Sequence, residues 1–276
     1  MSFRISTNIS SLQGQRALGK VNSETQESSG KLSSGSRINK AADDAAGLAI
    51  SEKMKAEIRS SRQANRNAND GISLVQTAEG GLNETTSLLT RMKELSIQAA
   101  TDTLGDTERA YAGQEYEAVK NELERISRNT EFNGRKLLDG SSSRLDFQVG
   151  VGGNSSEDYI SFNPNSLNSG LSSLGVDAVH INSKGEAQQS IGVVENAINK
   201  ISSHRSVLGS IQNRLLTSSN NLEIYNENMS AANSRIRDTD FAAESATQAR
   251  NSIVGDASTA VLAQANMSGQ NALKLL

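Results

Sequence analysis

Few side chains in these 276 residues have the type and spacing that catalysis needs. Asp43 and Asp44 are adjacent carboxylates, a pairing that acid–base chemistry uses. They stand where a long helix begins, so capping of free N–H groups and compensation of the helix dipole explain them better. His180 and His204 are the only histidines, and no Asp or Glu cluster flanks them at ligand spacing, which points to surface or packing roles rather than a metal. Gly150-Val151-Gly152-Gly153 hints at a phosphate loop. The third glycine of a dinucleotide fingerprint falls at Ser155, however, and no Lys follows, so a turn between strands is the better reading. With no cysteine there is no disulfide, thiolate ligand or thiol nucleophile. The chain is expected to be no enzyme and to need no cofactor.

Two long stretches carry an apolar rhythm of alternating three- and four-residue steps. Ile58, Ala68, Ile72, Val75, Ala78, Leu82, Leu89, Met92 and Ala99 share one helical face. Ile191, Val194, Ile198, Ile201, Leu208, Ile211, Leu215, Leu222, Tyr225, Met229, Ala232 and Ile236 share another. A repeat averaging 3.5 residues lets helices lie along each other in a coiled-coil seam. The fold class expected is therefore mainly α, a long antiparallel helical rod with a small β-element. At ~1.5 Å per residue, a helix from about 44 to 100 runs roughly 85 Å.

Composition agrees with thin packing. Hydrophobic residues make up 35%, aromatics 3%, and Trp is absent, so a thick closed interior lacks its bulky fillers. Pro164 is the single proline, leaving nearly the whole chain free of the strongest helix breaker. Net charge is −3 with the signs interspersed, which gives nucleic-acid binding no support. No run approaches the roughly 18 apolar residues of a membrane span, and residues 1–8 lack the apolar core of a secretory signal peptide.

Residues 1–42 form a weakly amphipathic segment with Ile5, Ile9 and Leu12, closed by a turn at Ser33-Ser34-Gly35-Ser36 and a flexible joint. Residues 43–236 form the rod. Within it a break at Asp102–Asp106 precedes a helix with Tyr116, Val119, Leu123 and Ile126 on one face. The period then changes to two over about 134–180, where Asn133-Gly134 signals a tight turn and Leu145–Val149 and Tyr159–Phe162 alternate as strands. Residues 237–276 are Ala-rich with weak helical spacing. Both ends read as helices disordered until assembly supplies a partner surface, and they are expected to pair into a second coiled coil.

Specific strings carry a family resemblance. "LSSGSRINKAADDAAGLAISEKM" (Leu32–Met54), "NDGISLVQTAEGGLNE" (Asn69–Glu84), "RMKELSIQAA" (Arg91–Ala100), "EFNGRKLLDG" (Glu131–Gly140), "SRIRDTDFAAE" (Ser234–Glu244) and "VLAQANMSGQNALKLL" (Val261–Leu276) resemble bacterial flagellin, in the family's order. The resemblance covers about 1–140 and 186–276. Only about 45 residues separate Gly140 from Glu186, so this is a short form without the large outer domains of many relatives.

The resemblance implies a flagellar filament subunit, a helical homopolymer exported unfolded through the flagellar type III apparatus without a cleaved signal. Its implied partners are further copies of itself, the filament cap, hook–filament junction proteins and an export chaperone at the C-terminus. It implies assembly through terminal residues such as Ile5, Ile9, Leu12, Val261, Leu262 and Leu273, and an extracellular location in a naked, sheathed or periplasmic filament. Arg91 and Leu95, with Glu115 on the next helix, match positions by which a vertebrate Toll-like receptor recognises flagellin monomers. They are read as a subunit-packing stripe beside the seam of Ile72, Val75, Leu82, Leu89 and Met92 with Ile198, Ile201, Leu208, Ile211, Leu215 and Leu222. Modification of some relatives implies O-linked sugars on Ser141, Ser142, Ser143 or Ser155. The alternatives are a hook–filament junction protein, which shares the terminal helices, and a cytosolic coiled-coil scaffold.

Overall fold

The structure, a computed structural model, describes residues 7–153 and 157–273, the side chains of 268–273 excepted. It is mainly α-helical. Helix α1 spans Ile9–Ser34, α2 Ala45–Ala99, α3 Asp106–Asn129, the single turn α4 Leu171–Leu174, α5 Lys184–Arg237 and α6 Phe241–Leu273. Four of the long helices start on a side chain that holds otherwise unbonded N–H groups. Asn8 Oδ1 accepts from Ser11 N at 3.0 Å, Asp44 Oδ1 from Gly47 N at 2.9 Å, and Asp240 Oδ1 from Ala242 N at 2.9 Å. At α5, Ser183 Oγ accepts from Glu186 N at 3.3 Å while Glu186 Oε2 accepts from Ser183 N at 3.1 Å, a reciprocal capping box.

Asp44 thus caps α2, whereas Asp43 closes the loop before it. Its Oδ2 accepts from Asn39 N and Lys40 N, each at 2.9 Å. Those N–H groups, Lys40's above all, hold the Asp43 carboxyl below the usual carboxylate range.

The chain packs as two compact units that divide inside α2 and α5: Arg59–Asn226, and the residues up to Ile58 with those from Glu227. In the first unit α2 and α5 run antiparallel, because partners on α5 fall in number as those on α2 rise. Asn65 meets Ser219, Glu79 meets Arg205 at 3.8 Å, and Lys93 meets Glu195 at 3.4 Å. Ile72, Val75, Leu82, Leu89 and Met92 of α2 and Ile201, Leu208, Ile211 and Leu215 of α5 are buried. Ile198 and Leu222 are half-buried.

Helix α3 makes this more than a two-helix seam. Tyr116 and Leu123 join the same core, and Leu137, Leu138 and Phe162 extend it under the β-element. Strands β1 (Glu131–Phe132) and β2 (Arg135–Lys136) pair around Asn133 and Gly134, whose φ of 50° and 75° define a two-residue primed turn. Strands β3 (Leu145–Gln148) and β4 (Tyr159–Phe162) pair antiparallel, Leu145 opposite Phe162. Phe147 of β3 lies over Gly71 of α2: a Cβ there would come within 3.2 Å of the ring. Leu138 and Thr130 crowd Gly81 more tightly, both at 2.7 Å from such a Cβ. Any side chain at Gly81 would force Leu138 or Thr130 to shift.

In the second unit α1 and α6 pair. Leu262 sits over Gly14, 3.1 Å from where a Cβ would stand. Asn8 Nδ2 donates to Ala265 O at 2.9 Å, and Gln248 Nε2 to Ser29 Oγ at 2.9 Å. The joint expected to be flexible is instead tied. Arg37 N donates to Arg237 O at 2.6 Å and Thr239 N to Gly35 O at 3.1 Å, Arg237 pairs with Glu52, and Ile38 is buried.

Candidate functional site

Two surfaces stand out. The first is the outer face of the terminal helix pair. Among the described residues of that unit Ile38 and Ile58 are the buried apolar side chains, and α1 buries only Ser11 and Ser28. Large apolar groups face outward: Ile9 and Leu12 on α1, and Phe241 (68% exposed), Ile253 (68%), Val254, Val261 (63%) and Met267 on α6. Leu262 is half-buried between the helices. Ile5 lies outside the described residues, and Leu273 is the last residue of α6. Apolar surface of this extent on a helix pair with almost no core of its own marks an interaction face.

The second surface joins α2 and α3. Arg91 donates to Glu115 Oε1 through Nε at 2.9 Å and Nη2 at 2.6 Å, and to Glu94 Oε2 through Nη1 at 3.0 Å. Glu115, then Glu94, holds the guanidinium pKa above its ordinary value. All three side chains are about half exposed, so the network is an accessible charged patch. Leu95 is not part of it. The reading that sets Leu95 on an outward stripe with Arg91 is corrected, since it is 1% exposed and belongs to the core. The reason is α3, which covers that side of α2 with Tyr116 beside Ser96.

Tyr116 is fully buried, and burial pushes its hydroxyl from 10.0 up to about 12. The folded-state value is raised, so the folded protein holds this proton while the unfolded chain has lost it. Stability from Tyr116 is therefore complete below pH 10 and lost as pH rises to about 12. Alkaline unfolding followed by circular dichroism should steepen in that window, and Tyr116→Phe should flatten it; an unchanged profile would show that Tyr116 does not drive the transition.

Sequence reasoning missed Arg109. It is buried with its guanidinium on three carbonyls: Nε on Ala99 O at 2.9 Å, and Nη2 on Thr101 O at 3.3 Å and Leu104 O at 3.2 Å. Its Nη1 reaches Asp106 Oδ1 at 2.9 Å. The signal was present in a lone Arg just after the Asp102–Asp106 break, where the last carbonyls of α2 need donors.

The remaining candidates take structural places. His180 Nδ1 lies 2.8 Å from Glu117 Oε1 at the surface. His204 is half-buried, and burial, with Lys200 nearby, lowers its pKa. The 150–153 glycines turn from β3 toward β4: Val149 N and Gly150 N both donate to Asp158 O, at 2.8 and 3.0 Å. Among the described residues no cluster of His, Asp or Glu could hold a metal ion. Ser141 donates to Asp139, Ser142 to Lys136 O, and Ser143 is exposed. Ser155 lies outside the described residues.

Comparison with known proteins finds the helical regions of one family at both ends of the chain. A model of the bacterial flagellin N-terminal helical region matches residues 5–143, and one of the bacterial flagellin C-terminal helical region matches 191–276. Over 272 residues the chain is 42% identical to a flagellin of Halalkalibacterium halodurans, covering 99% of each. The chain belongs to the flagellin family. This flagellin is also 41% identical to the flagellin of Bacillus subtilis, over 99% of the former and 100% of the latter. It is 38% identical to the flagellar filament 33 kDa core protein of Treponema phagedenis, over 99% of each. Among solved structures, the crystal structure of Bacillus cereus flagellin aligns with a TM-score of 0.50 and 29% identity, over 57% of this flagellin and 88% of that chain. A putative flagellar hook-associated protein from Vibrio parahaemolyticus aligns with a TM-score of 0.60, over 71% and 100%, but at 13% identity. That last likeness is one of fold alone.

Proposed function

We propose that this chain, a structural subunit of the bacterial flagellar filament, polymerises by laying the apolar outer faces of α1 and α6 against neighbouring copies. The observation that carries this is the exposure of Phe241, Ile253, Val254, Val261 and Met267 on a helix pair that has almost no core. Head-to-tail contacts that do not close generate an open helical filament from one repeated subunit. Residues 1–42 and 237–276 would then form the inner helical domain and 43–236 the surrounding one. The subunit would be no enzyme. It would reach the cell exterior through the flagellar export apparatus without a cleaved signal, aided by a chaperone at its C-terminus, and join the filament between the hook–filament junction and the cap.

Electron microscopy of purified protein after seeding tests this. Long tubes of uniform diameter are expected. Short rings that never extend would favour a junction protein, and persistent monomers a scaffold.

The exposed Arg91–Glu94–Glu115 patch is the part of the α2–α3 surface open to a neighbour, or to an innate immune receptor when the subunit is free; Leu95 would act by shaping that surface from beneath. Exposed ion pairs contribute about 0–1 kcal/mol, so Arg91→Ala should leave the melting midpoint nearly unchanged. An interfacial Arg is a frequent hot spot, each ~1.4 kcal/mol being tenfold in affinity. Receptor activation or seeded growth should therefore fall roughly tenfold or more. If both assays match wild type, the patch is merely solvated. For O-linked sugars, Ser143 is the open site of the described three, since Ser142 is half-buried and bonded to Lys136 O and the exposed Ser141 hydroxyl is bonded to Asp139.

A further inference from the structure

Along most of the Arg59–Asn226 unit the residues that α2 and α5 turn toward each other are apolar, from Ile72–Met92 on one helix and Val194–Leu215 on the other. Toward residue 61 the facing set changes. On α2 it becomes Ser61, Ala64, Asn65 and Ala68, and on α5 Ser219, Leu222 and Asn226. Asn65 and Ser219 satisfy each other: Ser219 Oγ donates to Asn65 Oδ1 at 3.2 Å, and Asn65 Nδ2 to Ser219 O at 3.4 Å. Ser61 and Asn226 do not share in this. Ser61 Oγ, on a residue 0% exposed, and Asn226 Oδ1 are both buried with no hydrogen-bond partner among the protein's described groups.

Buried oxygens are costly to leave unbonded, and a site with polar partners and a little room is where proteins keep structural water. The register sets these two at neighbouring levels of the helix pair. Counting from the Asn65–Ser219 contact, Ser61 is one turn back along α2 and Asn226 two turns on along α5. In an antiparallel pair both steps run the same way, roughly 6 Å and roughly 10 Å at ~1.5 Å per residue. The two residues then differ by about 5 Å along the axis, an offset that one water with two bonds of ~2.8 Å can bridge between side chains reaching into the same seam.

We propose that Ser61 Oγ and Asn226 Oδ1 hold one ordered water between α2 and α5, and that this hydrated stretch is where the helix pair of the unit opens first. The water donates one hydrogen to the Asn226 carbonyl oxygen and exchanges the other bond with the Ser61 hydroxyl. Opening there gives up little apolar burial, because Ala64, Ala68 and the Asn65–Ser219 pair replace the leucines and isoleucines found further along. The inference stands on the monomer and does not depend on polymerisation.

The test is a double-mutant cycle on the full chain, with regional hydrogen exchange of the wild type. One shared water couples its ligands, so Ser61→Ala and Asn226→Ala should each lower the urea midpoint, and the double variant should lower it by clearly less than their sum. Should Asn226→Ala not fold, Asn226→Leu replaces it in the same cycle. Amides of 61–66 and 219–226 should exchange at least tenfold faster than those of 82–92 and 201–211. Additive midpoints would overturn the shared water, and equal exchange across these segments would overturn the opening.

Discussion

A chain lacking residues 240–276 should form no filament at any practical concentration while its Arg59–Asn226 unit melts as in the intact protein. The deletion removes α6 whole and with it Phe241, Ile253, Val254, Val261 and Met267, five of the outward apolar groups of the terminal pair. Burial of a large apolar side chain is worth about 1.5–3 kcal/mol, so five of them represent on the order of 10 kcal/mol per subunit added. At ~1.4 kcal/mol per tenfold, the critical concentration would rise by roughly seven orders of magnitude. Helix α1 also loses Gln248 and Ala265 as hydrogen-bond partners, and without them it is too polar to hold a helical form. The core of Arg59–Asn226 is untouched, because none of its buried apolar residues lies beyond Leu215. Sedimentation and electron microscopy after seeding, beside a thermal melt, read the two halves of this expectation separately. Filaments from the truncated chain would place the assembly energy elsewhere, and collapse of the melt would mean that the units do not fold independently.

The elements that follow from local chemistry were legible in the residues. The 3.5-residue rhythm marks α2 and α5, Asn133-Gly134 marks the primed turn, and alternation marks β3 and β4, because each depends on neighbours close in sequence. What depended on a third element was not legible. Leu95 reads as a flank of the seam when α2 and α5 are the only helices considered; α3 converts that flank into interior. Asp43 reads as a cap like Asp44, but the loop folds back so that its carboxylate meets Asn39 N and Lys40 N. The terminal stripes were legible as unsatisfied, and the structure gives them a partial answer: α1 and α6 meet through Gly14 under Leu262, and their larger side chains remain outside. Arg109 stood out only by its place just after the Asp102–Asp106 break, and which carbonyls it holds depends on how the chain turns after α2.

Arg109→Met should be the most damaging single substitution at the α2–α3 turn, lowering stability by about 3 kcal/mol through orphaned carbonyls. In an isolated helix the last carbonyls find water; here Ala99 is itself fully buried, so its carbonyl depends on Arg109 Nε at 2.9 Å. The Nη2 contacts to Thr101 O and Leu104 O hold the intervening loop in the same grip. The bond to Asp106 matters least, because that carboxylate is fully exposed and an exposed pair is worth about 0–1 kcal/mol. Methionine keeps the volume and removes every donor, so the loss isolates hydrogen bonding from packing. Arg109→Lys keeps the charge but offers one ammonium where a planar fork served three carbonyls, and it should recover less than half of the stability. Asp106→Asn should be nearly silent. A melt of the three variants would show midpoints in the order Asp106→Asn, Arg109→Lys, Arg109→Met, with Arg109→Met roughly 10 °C below wild type at ~2–4 °C per kcal/mol for a domain of this size. If Arg109→Lys matched wild type, charge alone would hold the turn, and the carbonyl fork would have no energetic role.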